Sequence, residues 1–538
     1  MSRHPVPAAA VALAALTIFL TWPQALYLGT KVAVHNDPFF STWRLAWIAH
    51  ALRTDPHHLY DANIFYPERN TLAYSDAMLL EGAIGAPFIW AGVSPVLVYN
   101  ILLLAGIVSS GVGVFVLVRY LTKNAGAALV SAAIFTLMPY RIEHFMHLEL
   151  QWAMWMPLAY WALHRAVAEG SRRMGALIGV LVWLQVLSCV YYGIFLAIML
   201  TLLGILLIAA RPRRAPIVLT ALAIGGFVAL ALTYPYARPY LENAQRLGPR
   251  DLGEVAQYSA APLGYLTAPP QNWLWGGTAD RFHGNELRLF PGVVAIALAL
   301  AAFGRRPRAM VWTYSVLCLT AAELSLGFNG RLYPILYAHL FPLHGLRAPA
   351  RFAIAALCAL AVVAGFGVDY LQRWFSSVRA REWVAAVALI LIVLECGSAP
   401  MQLIDAPTRA PEVYRVVGSL GRAVIVEFPM AEPAWLPGYD PMYAFFSISH
   451  WNPLINGYSG YVSARYLDTL RRMLTFPDDA SIVHLTGLDV RYILVHESFY
   501  KASEFADLMI EMSRREDLIP SGKYHDWIGN VQIFELKP

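Results

Sequence analysis

The chain has 538 residues, 58% of them hydrophobic and 14% charged, with a mean hydropathy of +0.51 and a formal net charge of +5. Soluble domains carry about 25% charged residues, so this composition excludes an ordinary water-soluble protein and places most of the chain in lipid. It also argues against a nucleic-acid binder, whose basic residues would gather on one face. The four cysteines, Cys189, Cys318, Cys358 and Cys396, fall in apolar segments and form neither a disulfide framework nor a zinc spacing.

Ala8–Leu28 is an apolar run preceded by Arg3 and His4, and no small-x-small cleavage site follows it. An uncleaved first span with a cytoplasmic N-terminus is expected. Val34–Arg53 (VHNDPFFSTWRLAWIAHALR) comes next, with Asp37 ahead of Pro38 at a helix start. Phe39, Phe40, Trp43, Trp47, Ile48 and Ala51 recur at helical spacing, which predicts an aromatic amphipathic helix lying at the bilayer surface. Leu79–Val93 holds Glu81, Gly82, Gly85 and Pro87 and falls short of the roughly 20 residues that a crossing needs. It reads as interfacial or re-entrant, so residues 29–94 form one large outer loop.

Further spans are predicted at Pro95–Val118, Ala125–Pro139, Trp152–Ala166, Pro216–Thr233, Phe290–Phe303, Met310–Leu326, Phe352–Leu371 and Val384–Cys396. Met174–Ala210, read as one helix, would be roughly 55 Å long. Two spans turning near Tyr192–Gly193 are expected instead. Lys and Arg gather in five short connections, at Arg119/Lys123, Arg165/Arg172/Arg173, Arg211/Arg213/Arg214, Arg305/Arg306/Arg308 and Arg373/Arg379/Arg381. With about eleven spans all five fall on one side, which the positive-inside pattern makes cytoplasmic. The expected fold is an α-helical polytopic membrane domain, residues 1–398, followed by an extracytoplasmic α/β domain, residues 399–538. In that domain Ala423–Phe428, Val490–His496 and Val531–Leu536 read as strands, with helices at Tyr461–Phe476 and Ala502–Arg515.

Several residues stand out as carriers of chemistry. Asp37 either caps its helix or serves as a general base at the membrane surface. The outer segment Arg141–Gln151 offers Glu143, His144, His147 and Glu149; on a helix Glu143, His144 and His147 share a face. That face reads either as a polar turn between spans or as a divalent-metal site used together with Asp37. Arg347 and Arg351 sit at the outer mouth of a span, spaced to converge on a phosphate or on local lipid headgroups. Trp273 and Trp275, with His450 and Asn456 in His450–Tyr461, join aromatic rings to polar groups. They suit sugar rings or an interfacial belt.

A first span, a large outer loop opening with an acid, many further spans and a C-terminal outer domain resemble the GT-C superfamily of membrane glycosyltransferases. This superfamily includes the protein O-mannosyltransferases and the aminoarabinose transferases of lipid A. Phe328–Phe352 (FNGRLYPILYAHLFPLHGLRAPARF) and His450–Tyr461 (HWNPLINGYSGY) resemble stretches of bacterial YfhO-like multispan proteins. The resemblance implies a sugar donor on a polyprenyl phosphate and a glycan, lipid or protein acceptor, with Asp37 activating the acceptor hydroxyl. It departs from the mannosyltransferases in having Asn36 where they pair a second acid, and its second acidic motif is not clean. Two other classes fit the same sequence, a flippase for a lipid-linked saccharide and a membrane protein that binds glycans without chemistry. Ion-coupled carriers keep ionisable groups at mid-membrane, whereas Glu323, Asp369 and Glu395 lie toward span ends.

Overall fold

The computed structural model of the protein describes residues 5–281, 286–304 and 308–537. Arg3, His4, Arg305 and Arg306, used above for orientation, lie outside them. The chain forms two compact units. One comprises Met1–Leu28, Asn100–Arg238 and Gly248–Leu403, and the other Gly29–Tyr99, Pro239–Leu247 and Ile404–Pro538. The first outer loop, assigned from sequence to the membrane domain, thus groups with the C-terminal domain instead.

The first unit is helical. Among the described residues, five helices are long and apolar enough to cross a membrane: Pro95–Thr122, Ala125–Glu143, Val190–Ala210, Pro212–Leu247 and Pro349–Gln372. Helices Pro5–Leu20, Trp155–Glu169, Arg172–Ser188, Val293–Ala301, Ala309–Ser325 and Val378–Cys396 occupy the other predicted segments. The long run Met174–Ala210 does break in two, at Cys189, whose backbone is extended (φ −145°, ψ 113°). Just beyond the break, a Cβ on Gly193 would lie 2.3 Å from the Val186 side chain. Only glycine lets the two helices fold back this closely. Between Arg172–Ser188 and Pro212–Leu247 the contact is with backbone, because a Cβ on Gly179 would lie 2.4 Å from the Gly225 carbonyl oxygen.

The second unit is built on a four-stranded sheet in the order Val424–Phe428, Val490–His496, Gly529–Leu536, Leu518–Asp526. The first pair is parallel and the other two pairs antiparallel. Leu518–Asp526 was not anticipated, because Pro520 and Gly522 interrupt its alternation and only Leu518 is buried. Val426, Phe428, Ile493, Val495 and Phe534 on one face pack with Leu485, Leu508 and Met512 from the helices. The other face carries buried polar groups. Glu427 accepts from the Tyr414 hydroxyl at 2.5 Å and lies 2.8 Å from His496 Nε2.

Backbone pairing carries this sheet into the first outer loop. Ile425 N–H donates to Pro453 O, Ile455 N–H to Ile425 O, and Phe65 and Tyr66 N–H to Asn456 and Leu454 O. That ladder is the physical reason for the grouping of residues 29–94 with the C-terminal domain.

The helix that begins the loop, Asp37–Thr54, corrects the expectation of an amphipathic surface helix. Nearly every side chain from Asp37 to Ala49 is buried, polar and apolar alike. Phe39 meets Phe445 edge-on at 5.4 Å, and Trp43 donates its indole N–H to Asn63. Arg44 donates to the Asp76 carbonyl oxygen and Ser41 Oγ, and Trp90 to the Ala49 carbonyl oxygen. The aromatic stripe is a packing surface for protein on all sides.

Asn456, read from sequence as a sugar contact, is a buried strut. Its amide accepts from Glu427 N–H at 2.8 Å and donates to Glu427 O at 3.0 Å and Asp440 Oδ1 at 3.1 Å. Asp440 also accepts from the Tyr466 hydroxyl at 2.5 Å. Burial pushes its carboxyl up to about 7, against the opposing pull of Tyr466 and Asn456. The folded state therefore binds a proton that the unfolded chain, with a carboxyl near 3.8, releases earlier. The stability this group contributes is complete below 3.8 and is lost as pH rises through 7. The protein should melt at a lower temperature at pH 8 than at pH 5.5, and Asp440→Asn should reduce that difference in thermal unfolding.

Candidate active site

Asp37 is the first residue of its helix, with Asn36 at the cap position and Pro38 following. The Tyr458 hydroxyl donates to Asp37 Oδ1 at 2.6 Å. Asp37 N–H donates to His35 Nδ1 at 3.1 Å, which in the neutral imidazole makes Nδ1 an acceptor and leaves the proton on Nε2. The 3.3 Å approach of Nδ1 to Asp37 Oδ2 is then no hydrogen bond. It becomes an ion pair only when the ring is protonated. Phe40 packs edge-on against Tyr458 at 5.0 Å and so fixes the phenol that holds the carboxylate. The side chain of Asp37 is 11% exposed and that of His35 42%, so the pair opens to one side.

A second constellation lies within the helical unit. Arg351 stands in the turn Pro349–Phe352 that starts the helix Ala353–Gln372. Its Nε and Nη2 both donate to Glu286 Oε2, at 3.1 and 2.9 Å. Arg347 lies 3.7 Å from Glu254, with both side chains partly in solvent. The Arg351 guanidinium covers the Tyr191 ring at 5.0 Å, and that of Arg347 covers Tyr258 at 5.1 Å. Tyr191 accepts from the Arg347 N–H at 3.0 Å. Burial alone would raise the Glu286 carboxyl, but Arg351 first, with Arg347 beyond it, holds it down at about 2. Sequence reasoning missed Glu286, one of several acids in a long loop with no periodicity to mark it.

The segment Arg141–Gln151 is not one helix. It breaks into Pro139–Glu143 and Leu148–Gln151 with a turn between them, so Glu143, His144 and His147 share no helical face. Glu143 accepts from the Glu286 N–H at 3.0 Å and pairs with Arg288 at 3.1 Å. His144 is fully buried, both ring nitrogens lack a hydrogen-bond partner, and burial pushes it down to about 3, so it is neutral at physiological pH. Its ring lies 5.7 Å from that of His147. Glu149 is buried, with a charge felt at Arg351. Among the described residues no group of three or more His, Cys, Asp or Glu converges to hold a metal. The ligand set proposed from sequence is not assembled.

The aromatic candidates act as pins. Trp273 donates its indole N–H to Ala399 O at 2.7 Å, and Trp275 donates its own to Glu395 at 3.3 Å. His450 is mostly enclosed, accepts from Asn452 N–H, and stacks on Tyr414 at 5.9 Å.

No protein-family model matches the chain, and no characterised protein matches it in sequence. Solved structures do match it in fold. The archaeal oligosaccharyltransferase AglB of Archaeoglobus fulgidus, in complex with an inhibitory peptide and a dolichol-phosphate, aligns with a TM-score of 0.50 and 13% identity. That alignment covers 98% of this chain and 74% of AglB. The arabinofuranosyltransferase AftD from Mycobacteria aligns with a TM-score of 0.60 and 13% identity over 100% of this chain, which spans 42% of AftD. ArnT from Cupriavidus metallidurans gives a TM-score of 0.49 and 11% identity, covering 98% of this chain and 96% of ArnT. The chain has the GT-C fold, that of polytopic membrane glycosyltransferases with a C-terminal sheet domain.

The two arginines separate in their energetics. Arg351→Ala would strand the Glu286 charge in a desolvated site, at a cost of about 3–5 kcal/mol. Arg347→Ala breaks a long, partly solvated contact worth at most about 1 kcal/mol. Thermal unfolding in detergent should show a large loss for Arg351→Ala and little for Arg347→Ala.

Proposed function

We propose that the protein is a membrane glycosyltransferase that moves a hexosyl or pentosyl group from a polyprenyl-phosphate donor to an acceptor hydroxyl. The observation that supports this best is the GT-C fold combined with the placement of Asp37. The resemblance gives Asp37 the role of base, and the structure gives it a rigid helix start and a phenol on one oxygen. Asp37 takes the acceptor proton as the acceptor oxygen bonds to the anomeric carbon. The bond from that carbon to the phosphate oxygen breaks, and its electron pair leaves with the polyprenyl phosphate. Arg347 and Arg351, both in the helical unit, are the residues proposed to receive the donor's phosphate. The acceptor is a glycan, lipid or protein hydroxyl.

Asn does not accept a proton at neutral pH, and a general base contributes about 10²–10⁴-fold to rate. Asp37→Asn should keep the fold and donor binding while transfer falls by about two to four decades. The assay is purified protein with a panel of radiolabelled polyprenyl-phosphate sugars. Wild-type turnover in Asp37→Asn would overturn the role of Asp37. Absence of transfer from every donor would favour the flippase reading, which predicts none.

The orientation proposed is a cytoplasmic N-terminus and an extracytoplasmic C-terminal domain in the cell membrane. Lys123 and Ala480 are both exposed. In intact cells Ala480→Cys should react with an impermeant thiol reagent and Lys123→Cys should resist it. Equal labelling of the two would reject the orientation.

A further inference from the structure

One edge of the Arg351 guanidinium is already taken. Two of its N–H groups converge on one oxygen of Glu286, and the side chains of the pair are 5% and 13% exposed. A desolvated ion pair of this kind is strong, and a ligand can claim this edge of Arg351 only by displacing its partner.

The segment that delivers Glu286 is held in two further ways. Its backbone has φ +67°, the left-handed region that residues with a side chain seldom adopt and that concentrates at clamps and switches. The conformation is kept by Glu143, which accepts from the Glu286 N–H and from Arg288 two residues on. Glu143 ends one long helix, and Arg351 stands in the turn that begins another. Glu286 therefore rests on two fixed points, its backbone on one and its carboxylate on the other. The site has one strained residue, whose carboxylate meets Arg351, and beyond it a second guanidinium, Arg347, whose charge reaches the same carboxylate.

We propose that Glu286 is a built-in competitor for phosphate on Arg351, a carboxylate that yields to the donor's phosphate and returns to expel the product. The proposal rests on the reading that Arg347 and Arg351 receive the donor phosphate. A carboxylate and a phosphate offer the same acceptor geometry to a guanidinium. For a donor linked through a single phosphate, the donor is a phosphodiester with one negative charge. The product is a monoester approaching two. A site of two bare arginines would therefore hold the product more tightly than the donor and stall. Glu286 weakens both, and its return to Arg351 makes release of the more charged product possible.

The test uses the full-length protein in detergent, titrated with farnesyl phosphate and followed by intrinsic tryptophan fluorescence. Glu286→Gln keeps the side-chain length and removes the charge, and should tighten binding about tenfold or more. Glu143→Gln keeps an acceptor for the Glu286 N–H but weakens the hold on Arg288, and should tighten binding by a smaller factor. Arg347→Ala should weaken binding in the wild-type and Glu286→Gln backgrounds alike. If Arg347→Ala weakens binding while Glu286→Gln and Glu143→Gln match the wild type, the competitor role is overturned and the phosphate site stands. If Arg347→Ala leaves binding unchanged, the phosphate site falls and the competitor role with it. Weaker binding in Glu286→Gln would make Glu286 part of the ligand's own site and would likewise overturn the proposal. Should Glu286→Gln fail to fold, Glu143→Gln decides alone.

Discussion

A charge or a peptide group taken out of water has to be met by the protein itself, and most of this chain is out of water. The helical unit meets that demand with carboxylates placed at helix ends. Glu395 accepts from the N–H groups of Val293 and Val294, which open the helix Val293–Ala301, and from the Trp275 indole. Glu323 does the same for Arg331 and Leu332 at the start of Leu332–His339. Asp369 gathers Arg308, Arg373 and the Asn124 amide at another helix end. Acids near span ends therefore act as structural pins that close helix termini. Glu286 uses the same chemistry on a loop, with Glu143 at a helix end holding its N–H.

In the C-terminal unit the sheet does the organising. Its strand Val424–Phe428 is bordered on one side by Val490–His496 and on the other by the extended segment that contains Leu454. That segment in turn pairs with residues 63–66 of the first outer loop. The same stretch carries Asn63 to Trp43 and to Ser447 and Asn452, so the helix of Asp37 is referenced to the sheet through hydrogen bonds as well as packing. The phenol that holds Asp37 comes from Tyr458, just beyond the segment. A sequence stretch singled out for its look turns out to be the connection between the acid and the sheet.

Much of this was legible in the sequence, and the gaps have physical causes. Long apolar runs and the strands AVIVEF and VRYILVH announce themselves by composition and period. The break in Met174–Ala210 followed from length alone, although its position at Cys189 did not, because it depends on how closely Gly193 meets Val186. The helix at Asp37 was found but misread. Its aromatic stripe has the period of a surface helix, and nothing local reveals that protein covers its polar face as well. Glu286 and Tyr458 were invisible for a related reason. Each meets its partner across a large sequence separation, and a single residue type carries no periodic signal. Arg141–Gln151 failed in the opposite direction. Its helical spacing was genuine as a pattern, but the turn after Glu143 separates the side chains that the pattern places together.

Burial of the Asp37 helix strengthens the case for a catalytic acid. A carboxylate on a helix floating at the bilayer surface would move with lipid and would have to be positioned anew in each encounter. Here Phe39, Trp43 and Arg44 fix the helix from three directions, and Tyr458 fixes the carboxylate on it. Catalytic groups need placement to within about 0.5 Å, which rigid elements supply and surface segments do not. The phenol donor has a cost, since a hydrogen bond to the charged form stabilises it and weakens it as a base. A neutral donor such as the Tyr458 phenol is a moderate choice between order and basicity. Arg351 lies at the other extreme, with a full charge as the partner of one edge, and that edge can act on a ligand only by exchanging one anion for another.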